Sequence, residues 1–148
     1  MKLRRPTDDS IAGCVWLARI SDKARCHLDG TLHPDFVAPF CHPLATDGAF
    51  LEHFVLTKEE LVPAVESSAG NDDAVARWFL ARPAATPERI AAWNVLAPHI
   101  GQPGYPMERG FRFMVRRLYG GSVPDPRIDS AFTAIAYDEG YLDDVCPP

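Results

Sequence analysis

The sequence predicts an all-α protein, a single compact bundle of seven or eight short helices around a central N-terminal helix. Three observations favour this fold class. Most segments carry apolar residues at helical spacing, several of them begin with an N-capping signal, and no segment has the period-two alternation or the Asn-Gly turn of a β-hairpin. The segment closest to a strand, "HPDFVAPF", contains two prolines, which disfavour a position inside a sheet.

The first helix is predicted within "TDDSIAGCVWLARISDKARCHLDG", with its apolar face beginning at Ile11. Gly30 is suited to the left-handed residue that follows a helix C-terminus. The candidate N-caps of this helix are Thr7, Asp8, Asp9 and Ser10. A proline-rich irregular crossing, "TLHPDFVAPFCHPLAT", comes next, and a short helix opened by Asp47 is predicted in "DGAFLEHFV".

The later helices have recognisable start and stop signals. "TKEELVPAVESSAG" begins with a capping box formed by Thr57 and Glu60, and "NDDAVARWFLAR" begins with Asn71. "TPERIAAWNVLA" starts with a Thr-Pro pair, which is typical of a first helical turn. "PMERGFRFMVRRLYGG" is predicted to end at Gly120, and "DPRIDSAFTAIAYDEGY" is predicted to open at Asp125 with the proline after it.

The chain length indicates one domain, covering residues 1–148. The total of 148 residues is the size of an ordinary domain with a substantial core. The stretch "HIGQPGYP" separates a possible C-terminal sub-lobe, residues 105–148, which has too few residues for an independent core.

The charge of the chain argues against nucleic acids and anionic membranes as general partners, and the N-terminal residues bear on the location of the protein. The net charge is -5 and the isoelectric point is about 5.4, whereas nucleic acids and anionic membranes attract basic proteins. No apolar run is long enough to cross a bilayer. The first ten residues, "MKLRRPTDDS", lack the apolar run of a signal peptide, so we expect a cytoplasmic protein with reduced cysteines.

Four charged residues lie within the first helix, whose other positions are apolar on all sides: Arg19, Asp22, Lys23 and Arg25. A buried charge must be paired, and three cations here face a single carboxylate. Two explanations remain open. Acids from other helices complete a structural network, with Asp47, Glu52, Glu59 and Glu66 as candidates, or the surplus positive charge faces a cavity that receives an anionic or polar ligand.

The ligand hypothesis assigns roles to these residues. Asp22 would act as a general base and Lys23 as a general acid, while Arg19 and Arg25 would hold a carboxylate or phosphate. Three further candidates for the ligand-binding site are Cys26, one turn from Lys23, His42, in the proline-rich crossing, and Tyr105, on a loop that could cover a cavity. No nucleotide-binding, hydrolase-elbow or zinc motif is present, so no cofactor and no metal are expected.

The same region resembles a bacterial family known as a domain of unknown function, the 5069 family. The resemblance covers roughly the first hundred residues. It depends on Gly13, Ala18, Arg19, Asp22, Lys23, Arg25, Gly30, Cys41, Pro43, Leu44, Asp72, Asp73, Val75 and Trp78. His42 is inserted between the cysteine and the proline of the family pattern, and Ala45 replaces its aspartate. The resemblance implies a small helical bacterial protein and implies no activity.

Two functional hypotheses follow from the sequence. In the first, a polar, net-positive pocket on the first helix binds a small anionic or carbonyl compound and acts as a cofactor-independent hydrolase or lyase. In the second, the protein is a non-enzymatic helical interaction module whose buried charges are structural. The sequence leaves open whether the protein is an enzyme and what its oligomeric state is. A row of arginines, Arg109, Arg112, Arg116 and Arg117, is interpreted as a solvated face or a partner contact.

Overall fold

The computed structural model of the protein describes residues 2–148, and within that range all regular structure is helical. This confirms the predicted all-α class. The helices are α1 (Leu17–Asp29), α2 (Pro34–Val37), α3 (Thr46–His53), α4 (Lys58–Ser68), α5 (Asp72–Leu80), α6 (Pro87–Leu96), α7 (Glu108–Tyr119), α8 (Ala131–Asp138) and α9 (Leu142–Val145), with a short 3₁₀ helix at Ala97–His99. Over the same residues, none of these helices has both the length and the apolar character that a bilayer crossing requires.

The chain divides into two compact units, one that ends at Asn94 and one that covers Val95–Pro148. The second unit therefore begins earlier than the sub-lobe predicted at 105–148, because the 3₁₀ helix and the loop after it belong with α8. The backbone of Ile100 accepts a hydrogen bond from the Ala131 N–H at 2.8 Å. The single domain predicted over 1–148 stays a prediction.

The first unit is built around α1 and a cluster of aromatic rings. From Leu17 to Ala24 every residue of α1 is buried. The centroids of the Phe50 and Phe54 rings lie 5.1 Å apart, and those of Phe54 and Phe79 lie 4.9 Å apart. Trp93 completes the cluster at 5.5 Å from Phe50. The Phe54–Phe79 and Phe50–Trp93 pairs meet edge to face, which adds to the stabilisation that burial itself provides.

The start of α1 differs from the prediction. The helix begins at Leu17, and neither Ile11 nor the four candidate N-caps belong to it. The backbone takes left-handed conformations at Gly13 (φ 65°) and Trp16 (φ 73°), which interrupt any helical hydrogen-bond ladder. Asn94 holds this turn, because its side chain accepts from the Val15 N–H at 3.0 Å and donates to the Gly13 carbonyl at 2.8 Å. This long-range contact is invisible to a local capping rule.

Most of the other predicted helix ends are confirmed. Gly30 follows α1 in the left-handed conformation, and Gly120 does the same after α7. Thr57 and Glu60 form the capping box of α4, and the Asn71 side chain caps α5.

The predicted opening of the last long helix at Asp125 is wrong. The carboxylate of Asp125 instead accepts from the backbone and the side chain of Arg127, at 2.9 and 2.8 Å, which forms a turn. The helix starts at Ala131, with Ser130 as its cap and Thr133 as the reciprocal partner. The hydroxyl groups of Ser130 and Thr133 therefore cap α8 in place of the predicted start at Asp125.

A close backbone approach places the N-terminus of α3 beside the proline-rich crossing. A Cβ atom added at Gly48 would lie 2.6 Å from the Pro43 Cα atom, so any larger residue would push α3 away. Glycine at this position allows the first turn of α3, which carries Asp47, to lie against the backbone of the crossing.

Candidate functional site

Three charged side chains of α1 are buried and Arg25 is half-buried, and two clusters form around Lys23 and Asp22. Arg19, Asp22 and Lys23 have exposed fractions of 0%, 4% and 5%. We call the first group the Lys23 cluster; it consists of Lys23, Asp47, Trp16, Phe36 and the backbone N–H of Cys41. We call the second group the Asp22 cluster; it consists of Asp22, Arg4, Arg25 and Asp72.

The Lys23 cluster is a buried ion pair with additional hydrogen bonds. The Lys23 Nζ atom lies 3.2 Å from Asp47 Oδ1 and 3.3 Å from Oδ2. The same carboxylate accepts from Trp16 Nε1 at 2.9 Å and from the Cys41 N–H at 3.0 Å. Asp47 is therefore saturated with donors, which is the arrangement a buried carboxylate needs.

Two aromatic rings cover the cations of this region. Lys23 Nζ lies 5.0 Å from the centroid of the Trp16 ring and 5.6 Å from that of Phe36, which belongs to α2. The Arg19 Cζ atom lies 5.7 Å from both centroids, within cation–π range. Arg19 also donates from Nη1 to the backbone carbonyl of Arg4 at 3.1 Å.

Burial and pairing act in opposite directions on the pKa of Lys23. Burial lowers this pKa below its ordinary value because it disfavours the ammonium form, and the neighbouring Arg19 adds to the effect. The carboxylate of Asp47 opposes it by favouring the charged form. Asp47 is therefore the group that keeps a desolvated cation compatible with the fold.

The Asp22 cluster joins the N-terminal segment to α1 and α5. Asp22 accepts from the backbone N–H of Arg4 at 2.8 Å and from Arg4 Nη2 at 2.9 Å. Arg25 lies three residues after Asp22 on the same helix, and its Nη1 atom is 3.6 Å from the Asp22 carboxylate. Asp72, at the start of α5, accepts from Arg4 at 2.7 Å and from Arg25 at 3.0 Å.

In the Asp22 cluster, the pKa values of Asp72 and Arg4 are shifted in the directions that favour their charged forms. Hydrogen bonds from Arg4 are the main reason that the pKa of Asp72 lies below its ordinary value, with Arg25 acting in the same direction. The pKa of Arg4 is raised, chiefly by its hydrogen bond to Asp22. The two acids and two arginines thus stabilise one another as ions.

The structure places the remaining predicted site residues in different surroundings. Cys26 is buried in α1, where its backbone carbonyl accepts from the Thr31 N–H at 2.8 Å. His42 is exposed, and its Nδ1 atom accepts from the Leu44 N–H at 3.0 Å. Tyr105 belongs to the second unit and stacks on His99, with ring centroids 4.9 Å apart.

The two residues given catalytic roles point to different partners. Asp22 belongs to the arginine network, whereas Lys23 pairs with Asp47, and each therefore already has an oppositely charged partner within the protein. Of the four acids proposed to complete the network, Asp47 does so for Lys23. The sequence analysis named Asp72 only among the residues of the family resemblance and did not identify it as a partner of these charges. It did not identify Arg4, for which the sequence offered no signal.

Burial also raises the pKa values of two cysteine thiols. It raises the pKa of Cys14 to about 12 and is the main cause that raises the pKa of Cys41 to about 12, so neither thiol is activated as a nucleophile. The four cysteines are free. Among residues 2–148, no three His, Cys, Asp or Glu side chains are arranged to hold a metal ion.

A separate feature of the second unit is the exposed basic side of α7. No residue of this helix is buried, although Phe111 and Met114 pack against the small core formed around Ile128 and Leu142. Along one side of the helix lies a groove of about 930 Å³. Its lining consists of Arg109, Phe111, Arg112, Val115, Arg116, Gly121, Ser122 and Val123.

The arginines of α7 differ from Arg25 of α1, which pairs with Asp22 and Asp72. Within the described part of the chain, no carboxylate forms an ion pair with Arg109, Arg112, Arg116 or Arg117. All four are exposed, and Phe113, between them on the helix, is 60% exposed. In a chain of net charge -5, this helix therefore carries a local excess of positive charge.

Comparison with known proteins identifies the family. No curated protein matches the chain. The model of a family described as "Domain of unknown function (DUF5069)" matches residues 2–140, well beyond the first hundred residues over which the resemblance was expected. The match includes α1 with both charge clusters, and it extends through α7 and α8. The chain therefore belongs to the DUF5069 family.

Proposed function

We propose that this protein is a helical interaction module that binds an acidic segment of a partner protein in the groove beside α7. The observation that supports the proposal concerns the three exposed arginines that line this groove, Arg109, Arg112 and Arg116: none of them forms an ion pair with a carboxylate of residues 2–148. Arginine is enriched in protein interfaces because its planar guanidinium can bind a carboxylate through two hydrogen bonds.

The charged residues of α1 are poorer candidates for the binding site, because they already have partners. Lys23, Asp22 and Arg25 are each paired within the first unit, and breaking such pairs to admit a ligand would leave buried charges without partners. The pairing favours a structural role for these residues over the alternative of a pocket for a small anionic or carbonyl compound. On this proposal the two clusters stabilise the first unit and perform no catalysis.

The groove has the mixed character of a protein-binding surface. Its lining combines three arginines with the apolar side chains of Phe111, Val115 and Val123. Specific interfaces combine an apolar centre with a charged rim in this way. The negative charge of the chain as a whole disfavours long-range attraction of nucleic acid, and it leaves a local, acidic protein segment as the best match.

The proposal is tested with labelled poly-L-glutamate and the full chain. The wild type is expected to bind it, with an affinity that falls as salt is added because exposed charges are screened. A variant with Arg109→Gln, Arg112→Gln and Arg116→Gln is expected to lose binding. A control with Arg77→Gln and Arg117→Gln, both exposed arginines outside the groove lining, is expected to keep most of it. If the wild type fails to bind, or if the triple variant binds equally well, the proposal is wrong.

A further inference from the structure

We infer that the acidic segment which occupies the α7 groove is an amphipathic helix with carboxylates on one side and apolar residues beside them. The inference rests on the proposed function, since it names the partner's structure at the same site. It is argued from the spacing of the arginines along α7 and from the chemistry of the groove lining.

The groove arginines form a single row along the helix. An α-helix rises about 1.5 Å per residue, so Arg112 lies about 4.5 Å beyond Arg109, and Arg116 lies about 6 Å beyond Arg112. The three residues are spaced at i, i+3 and i+7, which keeps them on one side of α7. The row is about 10.5 Å long, so a single small anion cannot reach both of its ends.

A partner helix can reproduce this spacing. Carboxylates at i, i+3 and i+7 of a parallel helix, or at i, i+4 and i+7 of an antiparallel one, have the same axial separations as the arginines. An extended chain presents side chains on one face about every 6.6 Å, which fits the second interval but not the first. The row of arginines therefore selects a helix of about two turns over an extended peptide.

The rest of the lining explains why the partner helix is amphipathic. Phe111 and Val115 lie one turn apart on α7 and are both half-buried, and Val123 adds a further apolar surface. Gly121 and Ser122 contribute little bulk, and a Cβ atom added at Gly121 would meet nothing within 4 Å. The groove thus has a basic row, an apolar strip and an open side, which is the form of surface that accepts a helix through anchors at i, i+3, i+4 and i+7.

The test compares two synthetic peptides of identical composition with the full chain. The patterned peptide has Glu at i, i+4 and i+7 and Leu at the adjacent positions of a helix of about three turns. Its isomer contains the same residues with the Glu side chains spread around the helix. We expect the patterned peptide to bind about tenfold more tightly, because only it can form the three charge-assisted contacts together. Binding is measured by fluorescence anisotropy, and helix formation by circular dichroism of the mixture.

Two single substitutions on α7 test where the patterned peptide binds. Arg112→Gln, in the middle of the row, is expected to weaken the patterned peptide about tenfold, whereas Arg117→Gln, on the same helix but outside the groove lining, is expected to change it by less than about twofold. Both residues are exposed, so neither substitution endangers folding.

The possible failures are distinguishable. Equal binding of the two isomers, with poly-L-glutamate still bound and still dependent on the groove arginines, would overturn the helical partner and leave the proposed function standing. Equal weakening by Arg112→Gln and Arg117→Gln would overturn the docking of the helix along this groove. If neither peptide nor poly-L-glutamate binds, both the inference and the proposed function fall.

Discussion

Replacing Asp47 with asparagine tests whether the Lys23 cluster holds the first unit together. The substitution removes the counter-charge of Lys23 while keeping the size of the side chain. The amide oxygen can still accept from Trp16, but the amide nitrogen is a donor and must face either Lys23 or the Cys41 N–H, which are donors too. Asp47→Asn therefore leaves a buried ammonium without a carboxylate.

The burial of the Lys23–Asp47 pair determines how much stability Asp47→Asn is expected to cost. The Lys23 and Asp47 side chains are 6% and 0% exposed, so solvent cannot replace the missing partner. Removing one member of such a pair costs about 3–5 kcal/mol of the free energy of unfolding. That is a large part of the roughly 5–15 kcal/mol by which an ordinary domain is stable. We expect Asp47→Asn to unfold at much lower urea concentrations than the wild type.

Tryptophan fluorescence is the appropriate signal for this experiment. The three tryptophans of the chain, Trp16, Trp78 and Trp93, all precede the end of the first unit, so their emission reports unfolding of that unit. Glu52→Gln provides the matched control, since Glu52 lies on the same helix as Asp47 but is exposed. Its effect is expected to stay within about 0.5 kcal/mol.

The pH dependence gives a second check on the same variant. Without Asp47, the pKa of Lys23 in the folded state falls further below its value in the unfolded chain, because the group that raised it is gone. The unfolded state then binds more protons, so the stability of Asp47→Asn rises with pH more steeply than that of the wild type. A cost below about 1 kcal/mol at pH 7, or parallel pH profiles for the two proteins, would refute a structural role for the pair.

Three smaller perturbations probe other contacts. Asp72→Asn is expected to cost about 1 kcal/mol at pH 7, because its ion pairs with Arg4 and Arg25 are partly exposed. Since these pairs lower the pKa of Asp72, the difference from the wild type in urea midpoint should vanish as the pH falls through and below the lowered folded-state pKa. Thr57→Ala removes a capping box and should cost about 1 kcal/mol in the same urea assay, while a Thr57→Ser control should cost little. Cys14 is fully buried with its pKa raised to about 12, so mass spectrometry should find it unmodified by iodoacetamide at pH 8 until urea unfolds the chain; modification of the folded protein would contradict its burial.

Local signals predicted the fold class and most helix ends, because these features depend on residues close together in the chain. The cap at Thr57, the cap at Asn71 and the glycine after α1 each act within one helical turn. The predicted start of α1 was wrong for the opposite reason. Its turn is held by Asn94, about eighty positions away, and no local pattern contains that contact.

The candidate site shows the same division between local and distant information. The sequence correctly marked the buried charges of α1 as a group that needs partners, and it included Asp47 among the acids that could supply them. It could not tell which acid was close, because that depends on how α3 lies against the crossing at Pro43. Arg4 and Asp72 were not identified as partners of these charges, because Arg4 lies in an irregular N-terminal segment and Asp72 is also an ordinary first-turn acid of α5.

The two sets of arginines and lysines in this protein have opposite energetic consequences for binding. At Lys23, a ligand would have to displace Phe36 and compete with a carboxylate that is already held by three donors. The cost of exposing Asp47 and of breaking its bonds would be subtracted from any affinity gained. Arg112 is exposed to water and forms no ion pair within residues 2–148, so a carboxylate that arrives with apolar contacts can bind it without breaking an intramolecular ion pair. Binding of a carboxylate would therefore cost less at the exposed arginines of α7 than at the paired charges of α1, which is why the proposed function is assigned to the α7 groove.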